Sequence, residues 1–333
     1  LPRQLKASMS TLEQVLRATS RTFAIGIEGL PQPLRAQMRI AYLILRVSDY
    51  LEDNTTLEDT EKAPLLESWA DTLQGEPLES ELMTHLGSTE DPSPDSTAAH
   101  HASQIIQALE ELSPQAQNVI RAHTRDSTLG MARWVRRGPV IDTEGDLDDY
   151  MHEVAGRVGY LITDLFSLCS QGVRANHSEM MALGQEFGLA LQTVNIVRGI
   201  PSDIKRGWFF VPRQFLPESI GSGEDFLAEV HRQEAMEVVD RLLMKASRHF
   251  EAAEKYISHL PPFEARMRMF CLLPFLFGVR TVGLSRANPD VLVSEVKLGR
   301  KEVKRIVGRA RLLGWSNTWI HRYARYAAQP TAG

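Results

Sequence analysis

The 333-residue sequence predicts an all-α protein, and three observations carry that reading. Apolar residues recur at steps of three and four through most of the chain, the spacing of one helix face. Runs that alternate apolar and polar residues, the mark of a half-buried strand, are scarce. Apolar residues make up 43 % of the chain, and no change of composition divides it, so one sizeable core is expected. No internal repeat is visible. The expectation is a single domain over residues 1–333, with helices surrounding a central cavity.

The first strong helix is Arg35 to Asp53, where Met38, Tyr42, Leu45 and Asp49 recur at helical steps. Similar patterns cover 115–137, 146–172, 178–199, 225–259 and 263–284. The segment Gly87 to His101 (GSTEDPSPDSTAAHH) is polar, holds two prolines, and predicts an exposed mobile loop. The most apolar run, Met269 to Leu284, contains Pro274 and Arg280. It is shorter than the ~20 residues that span a bilayer, so a buried core helix is expected.

The net charge of −5 and a pI near 6.1 exclude a general nucleic-acid binder, which needs a broad basic surface. Cys169 and Cys271 show no metal or disulfide spacing and suit a reducing compartment. No secretory signal opens the sequence. A cytoplasmic location is expected, with membrane association through a segment outside this chain as the alternative.

Two motifs carry chemistry. The first, YLILRVSDYLED at 42–53, ends a helix. Asp49 and Asp53 are four apart and share a face, with Glu52 beside them. Like charges at that spacing destabilise an isolated helix. A magnesium ion, which prefers carboxylate and phosphate oxygens, reverses the penalty. Arg46, one turn earlier, is placed to meet a diphosphate. The plainer reading is a solvated helix end leading into the acidic stretch Glu58, Asp59 and Glu61.

The second motif is GLALQTVNIVRGIPSD at 188–203. Gln192, Asn195, Gly199 and Asp203 fall on one helical stripe. Buried amides there need partners, since an unpaired buried polar group costs ~1–3 kcal/mol. A hydrated metal–diphosphate supplies them, and so would a helix–helix hydrogen bond.

At this point the sequence resembles the squalene/phytoene synthase family. The blocks that carry the likeness run in the family's order: Ser20-Arg21-Thr22-Phe23, YLILRVSDYLED at 42–53, DSTLGMA at 126–132, DYMHEVAGRVG at 149–159, LQTVNIVRGIPSD at 191–203 and RGWFFVP at 206–212. Two later blocks resemble the squalene branch: Phe270-Cys271-Leu272-Leu273-Pro274, and Val296-Lys297-Leu298-Gly299-Arg300-Lys301. The likeness reaches about residue 305.

The resemblance implies a helical terpenoid-synthase fold with two facing metal motifs. It implies head-to-head condensation of two farnesyl diphosphates through presqualene diphosphate to squalene, with magnesium and NADPH. By the same resemblance Asp49, Glu52, Asp53, Asn195 and Asp203 hold metal. Tyr42, Arg46, Tyr150 and Arg198 are catalytic. Ser20, Arg21, Phe23, Gln192, Phe270 and Cys271 bind substrate, and Lys297, Arg300 and Lys301 bind NADPH. A dry cavity lined by 161–168, 183–197 and 269–279 would protect an allylic cation. Peripheral membrane contact suits an apolar product.

Several departures stand out. Gly199 and Ser202 occupy acidic positions of the family's second motif, leaving Asp203. Pro201 removes a helix hydrogen bond, so the helix is expected to kink or end near 199–201. Glu153 and Arg157 replace a tyrosine and a leucine; four apart, they predict an ion pair. From Lys297 to Arg311 there are seven basic residues and one acid, a run that suits NADPH phosphates, an anionic membrane or a solvated helix face. No glycine-rich dinucleotide fingerprint is present. His100 and His101 fall in the polar loop without a role, and His123 reads as a structural helix residue. The alternatives are the same fold with another outcome, or a prenyl-lipid-binding protein whose second site has decayed. The other outcomes are presqualene diphosphate, hydroxysqualene, a dehydrosqualene-type product or prenyl transfer to another acceptor.

Overall fold

Helices follow the apolar periodicity along nearly all of the described chain. The structure is a computed structural model that describes residues 3–88 and 93–330; of residues 3–10, 21 and 22 only the backbone is described. In chain order the helices are α1 (Arg3–Thr19), α2 (Arg21–Gly29), α3 (Leu34–Asp53), α4 (Asp59–Leu73), α5 (Ser80–Leu86), α6 (Ser96–Ala99), α7 (Ala102–Glu110), α8 (Pro114–Arg137) and α9 (Glu144–Met151). A π-helical turn, His152–Gly156, leads into α10 (Arg157–Cys169) and α11 (Gln171–Ala175). Then come α12 (His177–Lys205), α13 (Gly223–Leu227), α14 (Arg232–His259), α15 (Ala265–Ser285), α16 (Arg300–Leu313) and α17 (Asn317–Ala327). Among the described residues there is no strand, only an isolated parallel bridge between Val140 and Phe209.

Contacts group the chain into two units, Leu1–Gly138 with Tyr160–Arg174, and Pro139–Gly159 with Ala175–Gly333. In the first unit α3 packs against α4, α7 and α8. Its buried face carries Leu43, Ile44, Val47 and Leu51, the helical spacing read from the sequence. Trp69 and Trp134 are fully buried in the same core. The hydroxyls of Ser48 and Thr128, both buried, share a hydrogen bond of 2.7 Å, which satisfies two polar groups and fixes α3 against α8.

The second unit is built on α12 and α14, which pack along their lengths. Glycines let α12 approach the π-helical turn and the start of α10. A Cβ on Gly159 would lie 1.9 Å from the Gly184 carbonyl oxygen, and one on Gly188 2.2 Å from that of Ala155. No side chain fits there, so these positions set how closely the two segments pack. The neighbouring Glu153–Arg157 pair forms as expected, at 2.5 Å, with Glu153 buried.

The apolar run read as a core helix is α15, which is 21 residues long. Length does not distinguish it from a membrane span; burial does, since 72 % of its apolar window lies inside the protein. Arg268 of α15 is 2 % exposed. Its guanidinium donates to the carbonyls of Ile257 (2.6 Å), Leu260 (3.0 Å) and Gly314 (2.8 Å), and to Asn317. Carbonyls at the ends of α14 and α16 thus satisfy a charge whose proton affinity burial lowers.

One expectation is narrowed and one corrected. Of a kink or an end near 199–201, the end is ruled out, since the helix with Pro201 runs to Lys205. Proline removes one hydrogen bond, while Val194, Val197, Ile200 and Ile204 bury a continuous face and Ser202 Oγ donates to the Gly199 carbonyl at 2.8 Å. The polar segment 87–101 is not exposed throughout. Residues 96–99 form α6 with Ala98 and Ala99 buried, because two small apolar residues there have a core to join; residues 89–92 lie outside the described residues.

Candidate active site

The end of α3 gathers the first set of residues. Arg46 lies at the centre. Its guanidinium meets Asp49 at 2.8 Å and Asp95 twice at 2.9 Å, through a hydrogen bond from Nη2 and a charge contact from Nε, a group able to face a carboxylate or a phosphate. It also lies 5.8 Å from the Tyr42 ring centroid, and the Phe23 ring centroid is likewise 5.8 Å from that of Tyr42. Burial opposes the charge on Arg46, but Asp49, Asp95 and Tyr42 outweigh it and raise its proton affinity. Burial pushes the Asp49 carboxyl up to about 7; Arg46 pulls against this, while the Asp95 and Asp53 carboxylates add to it. Burial likewise raises the Tyr42 hydroxyl, with Arg46 opposing. Asp49 therefore shares one arginine with Asp95 and feels the negative charge of Asp53 as well, an arrangement short of positive charge.

Asp53 is exposed and Glu52 is buried, so the three acids do not converge as one cluster. Ser20 caps α2, accepting from the Phe23 N–H at 3.2 Å. The Arg21 side chain lies outside the described residues. His123 pairs with Asp164 at 2.6 Å, a link between α8 and α10 that fits a structural role.

In the second unit α12 carries Gln192, Asn195, Arg198 and Asp203. Contrary to expectation Asn195 is exposed, and its amide donates to Gln192 at 3.2 Å; the two amides serve as each other's partner. Asp203 accepts from Arg206 at 2.7 Å. Its carboxylate folds back over Gly199, where a Cβ would lie 2.6 Å from Oδ2. The glycine that removes one acid thus makes room for the other. Arg198 pairs with Glu295, which also holds Lys297 at 2.6 Å. Arg300 and Lys301 are exposed at the start of α16.

The block at 206–212 forms an aromatic wall. Tyr150 stacks on Phe210 with centroids 4.6 Å apart, and Phe210 stacks on Trp208 at 5.3 Å. The Trp208 N–H donates to the Asp203 carbonyl at 2.9 Å, so the wall is tied to the acidic end of α12. Phe270 and Cys271 are buried in α15. Burial pushes the Cys271 thiol far up, with Arg268 opposing, so it stays neutral and a poor nucleophile.

Among the described residues no group of three His, Cys, Asp or Glu side chains is set to hold a metal ion. The donors still fit magnesium, which takes one or two carboxylates and fills its octahedron with water and substrate phosphate. Asp49 and Asp53, and Asp203 with Asn195, are such sets. Asp95 and Glu295, which occupy the two arginines, were not singled out from the sequence. Nothing in it marks Asp95, 46 residues beyond Asp49; Glu295 had one signal, an acid two residues before Lys297.

The all-helical architecture, shared with solved squalene synthase structures, is that of the terpenoid-synthase fold. The chain belongs to the squalene/phytoene synthase family, whose model matches residues 16–305. It is 29 % identical to squalene synthase of Schizosaccharomyces pombe over 300 residues, covering 88 % of this chain and 63 % of that one. It is 28 % identical to squalene synthase 1 of Arabidopsis thaliana over 302 residues, 90 % of this chain and 70 % of that one. The chain thus spans somewhat under two thirds of the length of the fission-yeast relative. Among solved structures, TcSQS bound to the ligand E5700 aligns with a TM-score of 0.84 at 23 % identity, over 96 % of this chain and 91 % of that one. A dehydrosqualene synthase aligns with a TM-score of 0.63 at 14 % identity, over 93 % and 97 %. These structural likenesses speak to the fold.

Proposed function

We propose that the chain is a prenyltransferase that condenses two farnesyl diphosphates head to head, through presqualene diphosphate, to squalene, with magnesium and NADPH. The observation that carries this reading is the pairing of Arg46 with Asp49 and of Arg206 with Asp203, each at one turn of a helix that matches a family motif. Bound magnesium would neutralise charge on the departing diphosphate and NADPH would supply hydride.

The chain's own residues account for the rest. Asp49 and Asp53 on α3 would hold metal–diphosphate, and so, separately, would Asp203 with the Asn195 and Gln192 amides on α12. Arg46 and Arg198 would exchange Asp95 and Glu295 for phosphate oxygens, adding positive charge where the leaving group develops negative charge. Tyr42 and Phe23, and the stack of Tyr150 on Phe210, offer aromatic faces that stabilise a cation without attacking it. Neutral, buried Cys271 gives the cation no nucleophile. Lys297, Arg300 and Lys301 would bind the NADPH phosphates. A cytoplasmic protein with an apolar product delivered to a membrane follows from this reading.

A second reading keeps the fold and ends elsewhere, at presqualene diphosphate, hydroxysqualene, a dehydrosqualene-type product or prenyl transfer to another acceptor. The Glu153–Arg157 pair, with Glu153 buried, favours it, since it sets two charges where a tyrosine and leucine are expected. Incubation with labelled farnesyl diphosphate and magnesium, with and without NADPH, separates these. The proposal expects squalene with NADPH and presqualene diphosphate without it. One and the same product in both would place the chain among the other outcomes. No turnover by folded protein would favour a prenyl-lipid-binding role.

A further inference from the structure

Charge is segregated along this chain. Residues 297–333 hold nine Lys and Arg and one acid, Glu302, a net +8 that leaves −13 to the preceding 296 residues. The one acid does not face the basic side chains outward, because Glu302 pairs with Arg280 of α15 at 2.5 Å. On α16, Ile306 and Ala310 are buried, while Lys301, Lys304, Arg305, Arg311 and Leu312 are exposed. Spacings of three, four and seven place these side chains along the outward side. Lys304, Arg305 and Arg311 pair with no acid among the described residues.

Two large apolar side chains crown this basic stripe. Leu312 is 73 % exposed and Trp315, one turn on, is 65 % exposed. The Trp315 indole N–H donates to the Leu312 carbonyl at 3.1 Å. The only polar atom of that ring is therefore satisfied within the protein, and what it offers outward is hydrocarbon. Scattered exposed apolar residues are ordinary; an adjacent leucine and tryptophan above a stripe of unpaired cations are a different surface.

We propose that the outward face of α16 and the turn after it dock on an anionic lipid bilayer, with Lys304, Arg305 and Arg311 at the headgroups and Leu312 and Trp315 inserted at the interface. Tryptophan is the side chain that prefers this boundary, and basic side chains beside an apolar edge are what a negatively charged leaflet attracts. A nucleic acid matches the charge but offers no apolar interior to the Leu312–Trp315 edge. The edge is separate from Lys297 and Arg300: fifteen residues of helix and turn put Trp315 roughly 20 Å along from the start of α16. Vesicle binding by this face would hold whatever the reaction product.

The test is co-sedimentation with vesicles of phosphatidylcholine alone and of phosphatidylcholine with one-quarter phosphatidylglycerol. The intact chain should pellet with the anionic vesicles and stay in solution with the neutral ones. Leu312→Ser with Trp315→Ser should weaken binding about tenfold or more, as lost apolar insertion would. Lys304→Glu with Arg311→Glu should abolish it, and raised salt should weaken binding by the intact chain. Unchanged thermal melting shows that each variant is folded. The proposal is overturned if the intact chain ignores anionic vesicles, or if both double variants bind them as it does. It is also overturned if the chain prefers duplex DNA to vesicles at equal salt. A concentration-dependent dimer in sedimentation velocity, lost in the Leu312→Ser, Trp315→Ser variant, would assign the face to a second copy instead.

Discussion

The acidic ends of α3 and α12 meet the same demand with different resources. The first sets Asp49 and Asp95 on one arginine, Arg46, with the Asp53 charge felt at Asp49, and Asp49 holds its proton up to about 7 as a result of burial and its neighbours. The second has one carboxylate, Asp203, already neutralised by Arg206 and folded into the space above Gly199. One end waits for positive charge; the other has its charge balanced and offers amides. Each end taken by itself suits a metal that arrives with its own phosphate ligands, since magnesium keeps waters and takes few protein donors.

The largest expected effect comes from removing the carboxylates. Asp49→Asn and Asp203→Asn should each lower presqualene diphosphate formation by about 10²–10³-fold, the scale of one lost transition-state contact. Melting temperature should change by only a few degrees. Tolerance of Asp203→Asn beside loss in Asp49→Asn would break the comparison, leaving the second end without a metal role.

Next in size is the basic start of α16. Lys297→Ala, Arg300→Ala and Lys301→Ala together should raise the apparent NADPH requirement about tenfold, a 1.4 kcal/mol loss. The first half-reaction should continue. Equal loss of both half-reactions would assign these residues a structural role.

Gly199→Ala sharpens the contrast because stability and activity should part. Alanine suits a helix interior better than glycine by roughly 0.5–1 kcal/mol. Its Cβ would displace the Asp203 carboxylate, 2.6 Å away, and lower turnover about tenfold, a partial loss of the same contact. A variant that melts no lower but turns over more slowly is the expected result; unchanged turnover would show that the folded-back carboxylate is not the working one. The smallest effect belongs to Asp95→Asn. Freeing one side of the Arg46 fork should tighten inorganic pyrophosphate binding about threefold by calorimetry, because one charge-assisted competitor is gone. Weaker binding would mean that Asp95 orients Arg46 instead of competing with phosphate.

What the sequence made legible were features of period and composition. The helices at 115–137, 178–199 and 263–284 stand close to where apolar spacing placed them. The Glu153–Arg157 pair followed from a four-residue step, although a π-helical turn begins there. What escaped were contacts across long separations and helix ends set by packing. Asp95 reaches Arg46 from 49 residues away, and local spacing carries no such information. Pro201 read as a breaker because its local cost is visible, whereas the buried face that carries α12 past it depends on neighbours. Asn195 sat on an apparently apolar stripe, yet its position is exposed, since a helix stripe does not say whether anything covers it. The aromatic wall of Tyr150, Phe210 and Trp208 likewise joins two segments that the sequence holds 58 residues apart at its ends.

Calorimetric titration of magnesium, with and without an unreactive farnesyl thiodiphosphate, tests most directly whether both helix ends require the metal to arrive with its phosphate. Without the ligand, magnesium should bind weakly, because neither end presents three converging acids. With the ligand it should bind tightly, and the Asp49→Asn and Asp203→Asn variants should each lose that gain. Tight binding of magnesium to the protein alone, unaffected by the thiodiphosphate, would contradict the account.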